Sequence, residues 1–229
     1  MVLRSGGSFS RRDAGDFGID GDPGELERLR RGHELGRWTW LRQVHGARVV
    51  TVEVPGDHAG TEADGAVTAS ADAVLAVHTA DCAAVLLSSR PSGVIGAAHV
   101  GWRGLVGGVI ERTVEAMAAL GAERVTAVVG PHIRARCYEF GPDDLDEVTA
   151  RYGGGARATT AWGTPALDLL AGIDAALGVA SLPVTRSDHG GCTACEPDTY
   201  FSHRARGDRG RQVATIVLRD VPDRGPAAT

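Results

Sequence analysis

The segment from Asp81-Cys82 to His99-Val100-Gly101-Trp102-Arg103-Gly104 holds residue types that do chemistry. Between Cys82 and His99, two apolar runs, Ala83 to Leu87 and Val94 to Ala98, flank a Ser-Arg-Pro-Ser-Gly breaker. That pattern predicts an antiparallel hairpin. With Ser88 set opposite Gly93, Cys82 falls opposite His99, and directly opposed side chains lie about 4.5–5.5 Å apart at Cβ. Such a pair can share one proton or one metal ion. His45, between Val44 and Gly46, adds a second imidazole. One thiolate and two imidazoles suit zinc, and three protein ligands leave a fourth position for water or substrate. Two other readings of the same residues stay open. Cys82 and His99 can form the nucleophile–base dyad of a thiol hydrolase or deamidase, which has no need of His45. Cys82 can also be a small core residue beside hydrogen-bonded histidines.

Gly101-Trp102-Arg103-Gly104 stands at the predicted start of a helix. Backbone amides there attract anions, and Arg103 can grip phosphate or carboxylate with two donors. Asp64 and Asp81 are candidates for a general base or for the group that orients a ligating histidine. Cys192-Thr-Ala-Cys195 has the spacing of a metal knuckle, with Cys137 as a further thiol. A zinc site there would call for a histidine, His189 or His203, and loop thiols are the simpler reading.

The elements that must position these groups follow from hydrophobic period. Ala47 to Val54 reads as a strand, Ala73 to His78 and Arg124 to Gly130 as buried strands, and Gln212 to Leu218 as the last strand. Apolar residues at Leu105, Val106, Val109, Ile110, Val114, Met117 and Leu120 predict one amphipathic helix closed by Gly121. Further helices are expected over Pro23 to Arg31, Asp143 to Tyr152 and Pro165 to Leu177, with Gly153 to Gly155 a loop. Strands come in adjacent runs as well as alternating with helices. The expected fold is therefore α+β: a single-domain sandwich of mixed β-sheets flanked by helices.

The chain has 229 residues, is 43% hydrophobic and carries a net charge of −5. No stretch is basic enough for a nucleic-acid groove. All 24 basic residues are arginine, which excludes lysine Schiff bases and a P-loop lysine. Met1-Val-Leu-Arg-Ser-Gly-Gly lacks the apolar core of a secretory signal, and no run approaches the length of a membrane span. A soluble, cytoplasmic protein without a membrane partner is expected. Four cysteines in a chain this long do not make a disulfide scaffold.

Taken in order, the motifs resemble those of a known family. They are Arg42-Gln-Val-His-Gly46, Ala63-Asp-Gly-Ala-Val-Thr68, Thr79-Ala-Asp-Cys82, Gly96-Ala-Ala-His-Val-Gly-Trp-Arg-Gly104 and Gly130-Pro-His-Ile133. Cys137-Tyr-Glu-Phe-Gly141, Leu167-Asp-Leu169, Cys192-Thr-Ala-Cys195, Tyr200-Phe-Ser-His-Arg204 and Gly210-Arg-Gln212 complete the series. The family is the laccase-domain family, long labelled multicopper polyphenol oxidases and now regarded as purine nucleoside phosphorylases. The resemblance spans 38–218, with 1–37 a loosely matching segment of the same domain and 219–229 a tail. It implies His45, Cys82 and His99 as zinc ligands and phosphorolysis of adenosine, inosine and methylthioadenosine, with some adenosine deamination. The substrates would be a purine nucleoside and phosphate, with Arg42, Gly101, Trp102, Arg103 and Gly104 as candidate binding residues. Some bacterial relatives resemble a peptidoglycan-editing protein, which implies a cell-wall precursor as the alternative substrate. Two positions depart from the family pattern. Thr164-Pro165-Ala166 stands where a lysine or other polar residue usually precedes Leu-Asp-Leu, and His203 stands where a tyrosine is usual. A true multicopper laccase is excluded by composition. The chain has eight histidines, no His-X-His pair and no cysteine adjacent to a histidine.

Overall fold

The two apolar runs around the Ser-Arg-Pro-Ser-Gly breaker form strands β6 (Ala83–Ser89) and β7 (Val94–Val100) in a computed structural model that describes residues 2–18, 27–28 and 37–221. Nearly every residue of both strands is buried, because each face of their sheet is covered. Ala84, Leu86, Ile95 and Ala97 face a second sheet, while Val85, Leu87, Val94 and Ala98 face helices. Burial on both sides is why these strands read as continuous apolar runs rather than alternating ones.

The larger sheet also takes in β3 (Val49–Thr51), β4 (Gly65–Thr68), β8 (Val125–Val129) and β11 (Val184–Asp188), in the order β11-β8-β6-β7-β4-β3. Its outer pairs, β11–β8 and β3–β4, are parallel and the inner ones antiparallel. The smaller sheet contains β1 (Val2–Phe9), β2 (Arg37–Trp40), β5 (Ala73–Thr79) and β12 (Gln212–Val221), in the order β1-β12-β5-β2. Leu75, Val77, Ala214 and Ile216 fill the layer between the sheets, and Phe17 covers the far face by stacking on Trp38. Helices α1 (Trp102–Gly107), α2 (Val109–Ala119), α3 (Pro142–Tyr152) and α4 (Leu169–Gly178) flank the larger sheet. This is the mixed α+β sandwich expected from the sequence. Among the described residues, no helix is long and apolar enough to cross a membrane.

Four local expectations need correction. The hairpin turn sits one residue later, so that Ser88 pairs with Ile95 and His99 faces Ala84 rather than Cys82. Gly93 adopts φ 62° and closes the turn, a left-handed conformation that glycine accepts without strain and a strand does not use. The register moves by two, and an even shift keeps every side chain on its face, so Cys82 and His99 remain on one side of the sheet. The single helix expected over 105–120 is two helices, broken at Gly108 (φ 84°), whose amide caps Leu105. The strand expected over 47–54 is only Val49–Thr51, at the sheet edge. Pro165 does not start a helix: Pro165–Leu167 is strand β10, paired with β9 (Arg157–Thr159). Strands β1 and β11 had no counterpart in the sequence reading. Of the helix expected over 23–31, only Glu27 and Arg28 are described, and both are helical; the rest lies outside the described residues.

The start of α4 is set by Asp168, whose carboxylate accepts from the Ala171 amide at 3.0 Å. Asp168→Ala should therefore cost about 1 kcal/mol, the usual worth of such a cap, and Asp168→Asn much less. Urea unfolding measures both. An unchanged midpoint for the alanine variant would contradict a helix that begins at this cap.

Candidate functional site

Asp64 is completely buried one residue before β4. Gly65 pairs with Ala98, which brings Asp64 beside His99: the His99 amide donates to the Asp64 carbonyl at 2.7 Å. The ring makes a second contact, with Nδ1 2.8 Å from Asp64 Oδ1. A carboxylate on Nδ1 holds a proton there and leaves Nε2 as the ring atom that can serve a metal once its own proton is released. The same carboxylate accepts the amides of Val44, His45 and Gly46 at 3.2, 3.0 and 2.8 Å. Those three bonds hold His45 at φ 58°, a conformation costly for a residue with a Cβ. Gln43 fixes the loop from its other end, donating to the His78 carbonyl and accepting its amide.

Cys82 completes the group. The ligand atoms of His45, Cys82 and His99 lie within 4.8 Å of one another, and the two imidazoles meet edge-on at 4.9 Å between centroids. Glycine is required beside them. A Cβ on Gly101 would come within 2.9 Å of His45 Cδ2 and 3.0 Å of Cys82 Sγ, and one on Gly104 within 2.9 Å of the Gly46 carbonyl. The Gly-Trp-Arg-Gly segment thus lets the His45 loop close over the site. Burial opposes charge on both Cys82 and His99, but their mutual attraction prevails. With His45 and Asp64 contributing, the Cys82 thiol is brought down to about 6 and the His99 imidazole up to about 9. Without a metal the pair is a thiolate and an imidazolium at neutral pH. Cation binding would release the His99 proton.

Asp81 does not touch the histidines. It takes φ 100°, and its carboxylate accepts Thr193 Oγ1 at 2.7 Å, Ser202 Oγ at 2.6 Å and the Arg204 amide at 2.6 Å. Three donors occupy this buried carboxylate, which ties the 193–204 segment to the residue next to Cys82. Ser202 also caps the short α5 (His203–Arg206). Thr193, Ser202 and Arg204 were not singled out as functional from the sequence. Only the Cys-Thr-Ala-Cys and Phe-Ser-His-Arg motifs pointed toward them.

An aromatic wall stands next to the cluster. Tyr138, Phe140 and Trp102 meet edge-on at 5.2 and 5.5 Å. Burial, the nearby Cys82 and Asp81 all raise the Tyr138 hydroxyl, which stays protonated. The guanidinium of Arg204 lies 5.4 Å from the Tyr138 ring and that of Arg103 4.2 Å from the Trp102 ring. Arg103 is exposed and forms no ion pair among the described residues. Helix α1 has only six residues, which leaves little dipole at its start. Arg42 is exposed and faces Glu62 at 3.6 Å. Cys137, Cys192 and Cys195 form a second close group, with neither His189 nor His203 in it.

An α+β sandwich carrying a His–Cys–His group able to hold a metal, with His99 buried, Cys82 half-buried and His45 exposed, defines the class of the protein. Residues 25–219 match the family described as multi-copper polyphenol oxidoreductase laccase, and the chain belongs to that family. It is 42% identical to a Streptomyces coelicolor protein named purine nucleoside phosphorylase, over 87% of this chain and 85% of that protein. A Deinococcus radiodurans protein of the same name is 40% identical, over 93% of this chain and 85% of that one. Among solved structures, a Neisseria meningitidis protein matches with TM-score 0.78 and 28% identity, covering 96% of this chain and 95% of that one. The Bacillus licheniformis protein YfiH shares the fold with TM-score 0.83 at 22% identity, covering 94% and 93%.

The charge pair of the metal-free site has a measurable signature. Alkylation follows the thiolate, so its rate should rise with pH through a midpoint at about 6 rather than the ordinary 9.0. His99→Gln should move that midpoint back toward 9.0, because the charge that lowers it is gone. Iodoacetamide labelling of chelator-treated protein, read at Cys82 by mass spectrometry, tests this. A midpoint near 9.0 in the unaltered chain would contradict the ion pair.

Proposed function

We propose that the chain is a zinc-dependent purine nucleoside phosphorylase acting on adenosine, inosine and methylthioadenosine, with adenosine deamination as a side activity. The observation that carries this reading is the meeting of His45, Cys82 and His99, one imidazole already held at Nδ1 by a carboxylate. The donor set fits zinc, with a thiolate, two ring nitrogens and no fourth protein ligand among the described residues. Bound to these three residues, zinc would supply a Lewis acid with one position left for a substrate atom. The names of the relatives support purine nucleosides and phosphorolysis as the substrate class and reaction.

The chain's own residues supply the rest. Half-buried Trp102, backed by the buried Phe140 and Tyr138, offers an aromatic ring to a purine, and the neutral Tyr138 hydroxyl is a donor for a ring nitrogen or ribose oxygen. Arg103, with no carboxylate partner among the described residues, binds and orients phosphate for attack on the ribose C1′ as the bond from C1′ to the purine nitrogen breaks. The Arg204 guanidinium lies on the Tyr138 side of the same wall and can share that charge. Asp64 keeps the His99 ring in one orientation throughout, and Asp81 keeps the 193–204 segment in place. A second reading, the thiol hydrolase, draws on the Cys82–His99 charge pair, which resembles an activated nucleophile and its base.

One assay separates the two: release of purine base from inosine and adenosine, with and without phosphate and chelator. Base release should require phosphate and metal. Arg103→Ala should raise the KM for phosphate about 10- to 100-fold, the range of one charge-assisted hydrogen bond at about 1.5–3 kcal/mol, with metal content unchanged. Arg103→Lys should recover only part of it, because a point charge lacks the planar fork. His45→Ala should be inactive. An active His45→Ala variant that ignores chelator and phosphate would favour the hydrolase.

A further inference from the structure

The thiols of Cys137, Cys192 and Cys195 take no part in the site described above, yet their sulfurs all lie within 4.8 Å of one another. They come from two distant segments. Strands β8 and β11 are parallel neighbours, so the turn Ala135–Cys137 and the loop holding Cys192 leave the same edge of the sheet. A bridge between His132 and Cys192, and the Thr193 amide on the His132 carbonyl, extend that pairing to the thiols.

We propose that Cys137, Cys192 and Cys195 form a second metal site, for a thiophilic divalent cation of the zinc type. Sulfurs bound at about 2.3 Å around a tetrahedral zinc lie about 3.8 Å apart. Cys137 and Cys195 stand 3.0 Å apart and all three sulfurs lie within 4.8 Å of one another, close enough for one cation to draw them to that spacing. A disulfide requires about 2.05 Å and would in any case leave one of the three thiols unused. The turn between Cys192 and Cys195 is already closed, with the Cys195 amide on the Cys192 carbonyl at 3.1 Å and Glu196 Oε1 on the Cys192 amide at 2.8 Å. Three thiolates around a divalent cation carry one net negative charge. The Arg136 guanidinium, whose Nε donates to Cys195 Sγ at 3.2 Å, stands where it would balance that charge. An all-sulfur set selects soft cations over magnesium or calcium. Cys192 is buried while Cys137 and Cys195 are half-buried, so the remaining coordination position opens toward solvent. The site has a structural consequence. Cys137 precedes Tyr138 of the aromatic wall, and Cys192 precedes Thr193, which bonds Asp81. A cation here would lock together the two segments that face Cys82.

Cobalt tests this independently of the catalytic reading. Metal-free, reduced Cys82→Ala protein has lost the single thiolate of the first site. Given one equivalent of Co²⁺, it should still develop the near-ultraviolet sulfur-to-cobalt charge-transfer band, and lose its free thiols to titration. Adding Cys192→Ser or Cys195→Ser should abolish the band. Where Cys82→Ala does not fold, the unaltered chain serves, with two equivalents of cobalt bound and the band continuing to grow during the second. No band in Cys82→Ala with three free thiols, saturation at one equivalent in the unaltered chain, or a band indifferent to the serine changes would overturn the proposal.

Discussion

The carboxylate of Asp64 is the group on which the arrangement depends. Burying it completely would be expensive if it were left alone. Four donors offset that cost: the amides of residues 44, 45 and 46, and the His99 ring. Burial alone would raise its pKa, but the His99 bond and charge, with the Gly46 and Val44 amides, hold it below the ordinary carboxylate value. The carboxylate therefore stabilises the fold above that value, and the contribution is lost as acid protonates it. One side chain joins a loop to a strand, sets a strained histidine and orients a second one. The metal-binding potential of the group is a product of this one anchor.

Asp81, the residue before Cys82, plays a corresponding part. Its buried oxygens collect Thr193, Ser202 and the Arg204 amide from a segment more than a hundred residues away. Two buried carboxylates thus gather backbone and side-chain donors from separate segments of the chain. Both tie down chain segments near Cys82. Pre-organisation of this kind is what a site needs if charge is to be met by fixed groups rather than by rearrangement.

Much of this was legible in the sequence where local rules decide. Apolar runs bounded by a breaker gave the central hairpin, and the parity of strand geometry brought Cys82 and His99 to one face even though the turn was placed one residue early. What escaped has non-local or conformational causes. A glycine in the left-handed region broke a helix whose apolar period ran on through it. Asp168, in a Leu-Asp-Leu motif, is a cap rather than a helix interior, and the proline before it sits in a strand. Strands β1 and β11 are defined by their partners β12 and β8, far away in sequence. The same non-local pairing gathers Cys137, the further thiol named from the sequence, with the Cys-Thr-Ala-Cys loop, while neither His189 nor His203 joins the group. The histidine-orienting role was among those the sequence offered for Asp64, but its bonds to the 44–46 amides were not legible, because hydrogen bonds to backbone amides leave no mark on residue spacing.

The most direct test of the central claim is the zinc affinity of Asp64→Asn, read by competition with a chromophoric chelator in a Cys195→Ser background that removes the second thiol group. The amide keeps the shape of the carboxylate but loses its charge and one acceptor oxygen. Zinc binding at His45, Cys82 and His99 should weaken about 10- to 100-fold, the usual effect of losing a carboxylate behind a ligating histidine, while circular dichroism shows the fold retained. Zinc bound as tightly by Asp64→Asn as by its parent would contradict the claim that this carboxylate organises the site.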